Sequence, residues 1–334
     1  MQWAVIIGMI AAAIVLIDAL AHWISSGIVL NVFERQLPFK VQPSELHPNA
    51  ELISFPTSDG LKLQGSLLRQ TSRPPRGLIL FCPELNGTHS SAFSYCQSLW
   101  DAGFEILAFD FRSQGQSDRL PNYQPLHWVT DYEIEDAQSA IRYAKSHPEL
   151  ADLPLGVMGI SRGGGVALAV AAMNKDIQFV ATEGAFSTSS LAMHYTMRWA
   201  SVYVPQWVMW ILPMWHIRTT FAIARWRSQR RLNCRYTRLD NLLPRLRKKH
   251  VLLISGMSDS YVPPSISEHL AECIGGSNCQ IWKVRKARHN QARSVNPEQY
   301  DSKLVEFFSK MATNPMSLEL NSSPSCQPAD ASSG

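Results

Sequence analysis

A strand, a sharp turn and a helix follow one another without a break around Ser161, and this stretch constrains the fold more than any other. The apolar run 155–158 leads into a Gly-Ile-Ser-Arg-Gly pentapeptide at 159–163, and an Ala-rich run of helical character follows. This context is typical of a nucleophile elbow, which holds a serine in a strained turn above a sheet. Glycine is wanted at Gly159 and Gly163 because larger side chains would collide with the turn. An ordinary Gly-rich strand-to-helix turn is the alternative, because both residue types are common in turns.

Strand-like and helix-like segments alternate on both sides of this turn. Two strand-like runs, 51–55 and 61–69, flank the Ser-Asp-Gly turn at 58–60 and predict a β-hairpin. Apolar runs and periodic apolar faces then predict five further strands and four further helices. The strands are 78–82, 105–110, 178–182, 251–255 and 280–284, and the helices are 91–102, 131–146, 265–273 and 297–310. Alternation at this spacing predicts an α/β fold with parallel strands joined by crossover helices.

Residues 1–30 form an apolar segment that predicts a single-pass membrane anchor. No charge interrupts residues 3–17, the apolar character resumes beyond Asp18, and Trp3 and Trp23 are placed like interfacial anchors. A cleaved signal peptide is the competing interpretation, since Ala-Leu-Ala at 19–21 resembles a cleavage site. We favour the uncleaved anchor because no Lys or Arg precedes the apolar run. A buried amphipathic helix is a third interpretation. The positive charges nearby follow the segment, which weakly favours a cytoplasmic folded domain.

The remaining boundaries follow from shifts in composition. A Pro-containing linker is predicted over 31–49, and the folded domain over 50–312. An insertion of different character interrupts the alternation at about 187–249. The Ser/Pro/Asn-rich residues 313–334 are expected to form a disordered tail.

The insertion concentrates both tryptophan and positive charge. It holds five of the ten tryptophans and twelve Lys/Arg residues against a single acid, Asp240, so its net charge is +11 and that of the remainder is −7. One interpretation is a helical cap with solvated arginines and buried tryptophans. The other is a surface that faces an anionic membrane or an anionic acyl substrate. Nucleic acid is not expected as a partner, because no binding motif accompanies the charge.

A serine hydroxyl needs a base within hydrogen-bond reach, and the base needs an acid that orients it. In a sheet of this kind the chain order is serine, acid, histidine, with each group at the carboxyl end of a strand. Asp259 follows the strand at 251–255, and His289 follows the strand at 280–284. We therefore predict Ser161, Asp259 and His289 as the catalytic residues, with Glu183 as the rival acid.

An oxyanion needs two N–H donors. One comes from the residue after the nucleophile, here Arg162, and the other from the loop after the strand at 78–82. Pro83 has no N–H, so Glu84 is the predicted second donor and Leu85 the fallback. A plain strand-to-helix loop is the alternative.

The six cysteines show no metal-ligand spacing, and no cofactor or metal is expected. Only Cys273 and Cys279 lie near enough in sequence to raise the question of a disulfide. The cysteines therefore do not indicate whether the protein works in an oxidising or a reducing compartment.

The chain resembles the α/β-hydrolase superfamily over roughly residues 50–310, and within it the membrane-anchored α/β-hydrolase-domain proteins and serine aminopeptidase-like hydrolases. The resemblance rests on the pentapeptide, the Asp-Phe-Arg-Ser-Gln-Gly-Gln-Ser segment at 110–117, Asp259 followed by Val-Pro, and His289 followed by Asn. It implies a mostly parallel central sheet with helices on both faces and a helical lid at 187–249. Two departures are Cys82-Pro83, where the family often has His-Gly, and Ser113-Gln114, where a glycine is usual.

These observations predict a serine hydrolase that cleaves a small-molecule ester, thioester or amide through an acyl-enzyme. A catalytically silent α/β-hydrolase scaffold that serves as a binding module is the first alternative. A dinucleotide-binding domain is the second, because Glu183 lies some twenty residues after the glycines. The glycines do not form GxGxxG, and that alternative leaves Asp259 and His289 unexplained. The membrane is the other expected partner, through the N-terminal helix and the insertion.

Overall fold

A computed structural model describes residues 2–35, 41, 44–203 and 213–312. An eight-stranded sheet with the order β1-β2-β4-β3-β5-β6-β7-β8 runs through the domain. Its strands are β1 (Ala50–Pro56), β2 (Lys62–Leu68), β3 (Leu78–Cys82), β4 (Glu105–Phe109), β5 (Leu155–Ile160), β6 (Phe179–Glu183), β7 (His250–Gly256) and β8 (Cys279–Val284). Only the β1–β2 and β2–β4 pairs are antiparallel. The predicted mostly parallel α/β sheet is confirmed.

Ten α-helices lie within the described residues. They are α1 (Gln2–Phe33), α2 (Ala92–Asp101), α3 (Asp131–Ser146), α4 (Arg162–Met173), α5 (Thr188–Tyr203), α6 (Met214–Leu232), α7 (Leu239–Leu242), α8 (Pro264–Ile274), α9 (Ala292–Val295) and α10 (Pro297–Ala312). The helix α3 begins with a capping box in which Thr130 and Glu133 satisfy each other's backbone N–H groups. Its start at residue 131 was predicted by periodicity alone.

Strand β3 shows how the sheet is buried on both faces. Leu78, Leu80 and Cys82 belong to the core under α3 and α4, whereas Ile79 and Phe81 belong to the core under α2 and α10. Successive side chains of a strand point to opposite faces, so a strand covered on both sides reads as a continuous apolar run. Burial of each large side chain contributes about 1.5–3 kcal/mol.

The loop after β4 is fixed by one buried carboxylate. Asp110 accepts hydrogen bonds from the backbone N–H of His89 at 2.6 Å and of Gln116 at 2.8 Å. Gly115 has φ of 51° and lies against this carboxylate, so a side chain there would overlap it. The loop between β4 and α3 is thereby tied to the loop after β3.

A buried arginine continues this arrangement. The guanidinium of Arg112 donates to Asp136 at 2.8 Å and to Asp59 at 2.7 Å, and it lies 4.8 Å from the ring centroid of Tyr132. The backbone N–H of Arg112 also donates to Asp136, at 2.8 Å. Removal of Arg112 would leave the fully buried Asp136 carboxyl without its ionic partner.

The N-terminal helix α1 has two distinct halves. Residues 2–17 are exposed throughout, and the helix is long and apolar enough to cross a membrane. Beyond them His22, Ser26, Leu30 and Phe33 are buried, at the spacing of one helical stripe. This second half therefore docks against the protein.

The docked end of α1 reaches the domain core. Phe33 stacks on Trp128 with ring centroids 4.6 Å apart, and its carbonyl accepts a hydrogen bond from the Trp128 indole at 2.7 Å. The helix thus extends three residues beyond the predicted anchor at 1–30, because Phe33 is buried there. Residues 36–40 and 42–43 of the predicted linker, 204–212 of the insertion and the predicted tail at 313–334 lie outside the described residues.

The cysteines of the described residues are all free thiols. Cys82 and Cys96 are buried in the core, and Cys273 and Cys279 lie on neighbouring elements without a bond between them. The structure thus contains no disulfide between Cys273 and Cys279.

Candidate active site

Ser161 stands at the turn between β5 and α4 in a backbone conformation that non-glycine residues rarely adopt. Its φ is 52° and its ψ is −117°, and its backbone N–H donates to the carbonyl of Glu183 at 2.7 Å. Strained backbone of this kind persists only where the surrounding structure determines it. The turn places the hydroxyl at the carboxyl end of the sheet.

The two elbow glycines are required by close backbone approach. A side chain at Gly163 would overlap the carbonyl oxygens of Cys82 and Pro83, and one at Gly159 would overlap the backbone of Gly163. The first turn of α4 therefore lies directly against the end of β3. Larger residues would separate the serine from the loop that follows that strand.

The three predicted catalytic side chains lie together. The Ser161 hydroxyl oxygen is 2.8 Å from Nε2 of His289, and Nδ1 of His289 is 2.7 Å from Oδ2 of Asp259. These residues are separated by up to 128 positions in the chain, and the loops after β5, β7 and β8 carry them to one edge of the sheet. The serine, imidazole and carboxylate form one continuous chain of hydrogen bonds.

Asp259 is held by its own loop. Its Oδ1 accepts the backbone N–H groups of Tyr261 and Val262, each at 2.8 Å, which leaves Oδ2 directed at His289. Two backbone donors fix the orientation of the carboxyl. Such a carboxylate selects the imidazole tautomer with hydrogen on Nδ1, so Nε2 presents its lone pair to Ser161.

The carboxyl of Glu183, the rival acid, is directed at a backbone N–H group. Its Oε1 accepts the backbone N–H of Ala292 at 2.7 Å, which ties the end of β6 to α9. Burial raises the pKa of Glu183 to about 7. The carboxyl that contacts His289 Nδ1 is that of Asp259.

The loop after β3 lies beside the elbow, as the strand register requires. Cys82 pairs with Gly159 across β3 and β5, so Glu84 follows at the level of Ser161. The side chain of Glu84 is buried, its Oε1 accepts the Tyr95 hydroxyl at 3.4 Å, and burial raises the pKa of its carboxyl. The structure therefore adds a buried carboxyl near the site that sequence reasoning had not considered.

Arg162 points its side chain away from Ser161 and into the domain. Its guanidinium donates to the carbonyl of Leu126 at 3.0 Å and contacts Glu133 at 3.4 Å, and it lies 5.2 Å from the ring centroid of Phe111. Its predicted role at the site therefore rests on its backbone N–H alone. The sequence signal for its partner was the Thr-x-x-Glu capping box at 130–133, which sequence reasoning missed.

Two groups of side chains in the described residues could hold a metal ion, and neither lies in the Ser161 site. One comprises Asp18, His22 and His216, and the other Asp240, His269 and Cys273. The arrangement around Ser161 instead suits proton transfer coupled to nucleophilic attack, since an oriented imidazole contacts the hydroxyl.

The outer face of α6 carries an exposed stripe. Trp215, Arg218, Ala222, Trp226 and Arg230 follow one another at helical spacing. Part of this stripe lines an open groove of about 460 Å³, and Arg230 lies 5.3 Å from the Trp226 ring. Some of the tryptophan and arginine residues of the insertion are therefore exposed on α6.

The sheet, the elbow and the grouped side chains define an α/β-hydrolase. The family model described as "Serine aminopeptidase, S33" (Hydrolase_4) matches residues 73–293. The chain belongs to this family and is a hydrolase.

Individual relatives are distant. Protein bem46 of Schizosaccharomyces pombe is 24% identical over 251 residues, which cover 74% of this chain and 73% of that protein. A thiohydrolase of Eupenicillium brefeldianum is 31% identical over 134 residues, or 39% of this chain and 41% of the relative. The esterase Pf2001 of Pyrococcus furiosus superposes with a TM-score of 0.59 at 20% identity, and the match covers 84% of this chain and 98% of the esterase.

The dinucleotide-binding alternative does not fit this fold. The β2 strand is antiparallel to β4, and the sheet order differs from the 3-2-1-4-5-6 order of the Rossmann fold. Glu183, the residue that raised this alternative, is buried and bound to the backbone of Ala292. It is not positioned as an exposed ribose ligand.

Glu183→Gln should change how stability depends on pH. The folded pKa of about 7 lies above the ordinary value of 4.5, so between these pH values the native state keeps a proton that the unfolded chain has released. Wild-type stability should therefore fall as pH rises through this window, by up to about 3 kcal/mol from this group. The variant should lack that decline, which urea denaturation at a series of pH values measures. Parallel pH profiles for the two proteins would contradict the assignment.

Proposed function

We propose that the chain is a serine hydrolase that uses Ser161, His289 and Asp259 to cleave an acyl ester or thioester through an acyl-enzyme. The observation that carries this proposal is the continuous hydrogen-bond chain from the Ser161 hydroxyl through His289 to Asp259. The strained elbow and the two glycines support it, because they aim the hydroxyl at one place.

In the proposed reaction, the Ser161 hydroxyl oxygen attacks the acyl carbonyl carbon while Nε2 of His289 takes the hydroxyl proton. The oxyanion is held by the backbone N–H groups of Arg162 and Glu84, the latter in the loop packed against α4. His289 then returns the proton to the leaving group, and the acyl-enzyme forms. His289 then takes a proton from a water molecule, which attacks the acyl carbonyl carbon of the acyl-enzyme. The carboxylic acid is released, and His289 returns the proton to the Ser161 oxygen. Asp259 keeps the imidazole oriented and stabilises its charged form.

The names of the relatives favour esters and thioesters over amides as the first substrates to test. Thiohydrolases and an esterase occur among them, although the thiohydrolase match spans less than half of that relative. The family name refers to an aminopeptidase, so aminoacyl amides form the third class. A direct comparison of esters, thioesters and aminoacyl amides therefore identifies the bond that the protein cleaves.

The insertion is proposed to act as a lid. The helices α5, α6 and α7 follow β6 and precede β7 in the chain. The Tyr195 hydroxyl of α5 donates to the carbonyl of Tyr261 at 2.7 Å. The ring of Tyr261 lies 5.8 Å from that of His289. A helix of the insertion thus contacts the loop that carries Asp259, which supports a covering position.

Substitutions in the hydrogen-bond chain should abolish turnover selectively. Ser161→Ala and His289→Ala should lower kcat/KM by about 10⁴-fold or more, and Asp259→Asn by about 10⁴-fold, because each removes the nucleophile or its activation. Glu183→Gln is the matched control for Asp259→Asn and should retain most of the activity. The assay compares p-nitrophenyl esters, acyl thioesters and aminoacyl amides. If folded wild-type protein turns over none of these and shows no dependence on Ser161, the silent-scaffold alternative is favoured.

We also propose that α1 is retained as a single-pass anchor with the catalytic domain on the cytoplasmic side. The exposed apolar residues 2–17 and the positive charges of Arg35 and Lys40 after the helix support this orientation. Intact mass of the purified chain should include residues 1–30, and protease added outside sealed cells should leave the domain intact. A mature chain that begins near residue 22 would instead identify a cleaved signal.

The exposed stripe of α6 is proposed to contact an anionic lipid surface. Replacement of both Arg218 and Arg230 by Gln should weaken binding to phosphatidylserine vesicles by about 2 kcal/mol, because each arginine near such a surface contributes about 1 kcal/mol. The measurement uses a chain without residues 2–17, so that the anchor does not dominate. Arg245→Gln with Arg247→Gln is the control, since it makes the same charge change away from α6. Equal binding by both double variants would indicate a solvated cap.

A further inference from the structure

The second half of α1 packs against α6 through a series of polar contacts. Asp18 contacts His216, His22 contacts Thr220, Arg227 contacts Trp23 and Ser26, and Arg231 contacts Glu34. The paired positions increase together along both helices, so the helices run in the same direction. The first contact of this series lies where the exposed apolar part of α1 ends.

Three ligand-type side chains converge at this first contact. Nε2 of His216 lies 3.0 Å from Oδ1 of Asp18, and Nε2 of His22 lies 3.7 Å from Oδ2 of the same carboxylate. The two imidazole rings stack with centroids 4.3 Å apart. One atom from each residue lies within 4.8 Å of the other two, a spacing that one metal ion can bridge.

His22 provides a second, independent observation. Its side chain is buried, and Nδ1 is paired with the Thr220 hydroxyl at 2.8 Å. Within the described residues, Nε2 of His22 is buried and has no hydrogen-bond partner. A buried polar atom without a hydrogen bond is costly, and a histidine whose other nitrogen is fixed by a hydrogen bond is in the state found in metal ligands.

Asp18 supplies the one carboxylate of this cluster. It is the only charged residue in α1, and its half-exposed carboxylate lies beside both imidazoles. The i, i+4 spacing places Asp18 and His22 on one face of α1, while His216 comes from α6. One cation would compensate the carboxylate and satisfy Nε2 of His22 at once.

We propose that Asp18, His22 and His216 bind a Zn²⁺-class transition-metal ion that fastens the N-terminal helix to the insertion. Two imidazoles and one carboxylate suit Zn²⁺ better than Mg²⁺ or Ca²⁺, which prefer oxygen ligands. Water completes a four-coordinate site. The ion holds α6 beside the membrane-proximal end of α1, apart from the hydrolytic chemistry of Ser161.

The test measures zinc content and affinity in the full chain in detergent micelles. Asp18→Asn and His216→Gln should each lose about one equivalent of bound Zn²⁺ relative to wild type. Hydrolytic activity toward a soluble ester provides a separate readout of folding. His194→Gln is the control, because this histidine lies in the same insertion but outside the cluster. Unchanged zinc content in the cluster variants would overturn the proposal.

Cobalt distinguishes this site from the second candidate cluster. Co²⁺ held by two imidazoles and a carboxylate gives ligand-field bands without a thiolate-to-cobalt charge-transfer band, and Asp18→Asn should abolish these bands. A thiolate band that is lost in Cys273→Ser would place the ion at Asp240, His269 and Cys273 and would contradict the proposal. Zinc that raises the thermal unfolding temperature of wild type and His194→Gln, but not of His216→Gln, would support it. An equal effect on all three would indicate adventitious binding.

Discussion

The close approach of the first turn of α4 to the end of β3 is the constraint on which the rest of the site depends. Gly163 lies against the carbonyl oxygens of Cys82 and Pro83, and Gly159 lies against the backbone of Gly163. These contacts hold Ser161 at a positive φ and bring the loop of Glu84 alongside it. The nucleophile and its proposed oxyanion donors are thus positioned by backbone packing.

Buried ionic contacts hold the loops around this centre. Arg162 contacts Leu126 and Glu133 at the start of α3, while Arg112 joins Asp136 of the same helix to Asp59. The cost of burying these charges is offset only while every partner is present, so the arrangement favours one loop conformation. A rigid surround of this kind suits a site that needs its hydroxyl, imidazole and carboxylate aligned.

Sequence reasoning predicted the fold and the grouping of Ser161, Asp259 and His289 because those features depend on local pattern and strand order. A loop that leaves a parallel strand ends at a common edge of the sheet, so chain order favoured Asp259 and His289 and left Glu183 as the rival acid. Glu183 also follows a strand, and its pairing with the backbone of Ala292 required the three-dimensional arrangement.

The features that sequence reasoning missed are long-range polar pairs. The contact between His22 and Thr220 joins residues 198 positions apart, and the periodicity of neither helix predicts it. Apolar composition predicted α1 correctly as a long helix but concealed its docked half, since Ser26 and Leu30 on the buried stripe do not differ in type from their exposed neighbours. Packing against α6 determines which face of α1 is buried, and the position of α6 depends on the whole domain.

The elbow, His289 and Asp259 are proposed to activate a single serine, Ser161. Reaction of the full chain with a fluorophosphonate, followed by peptide mapping, identifies the activated residue. We expect one covalent phosphonyl group on the peptide that contains Ser161, with labelling slowed strongly in His289→Ala and little changed in Glu183→Gln. Labelling at another residue, or labelling of Ser161 at an unchanged rate in His289→Ala, would contradict it.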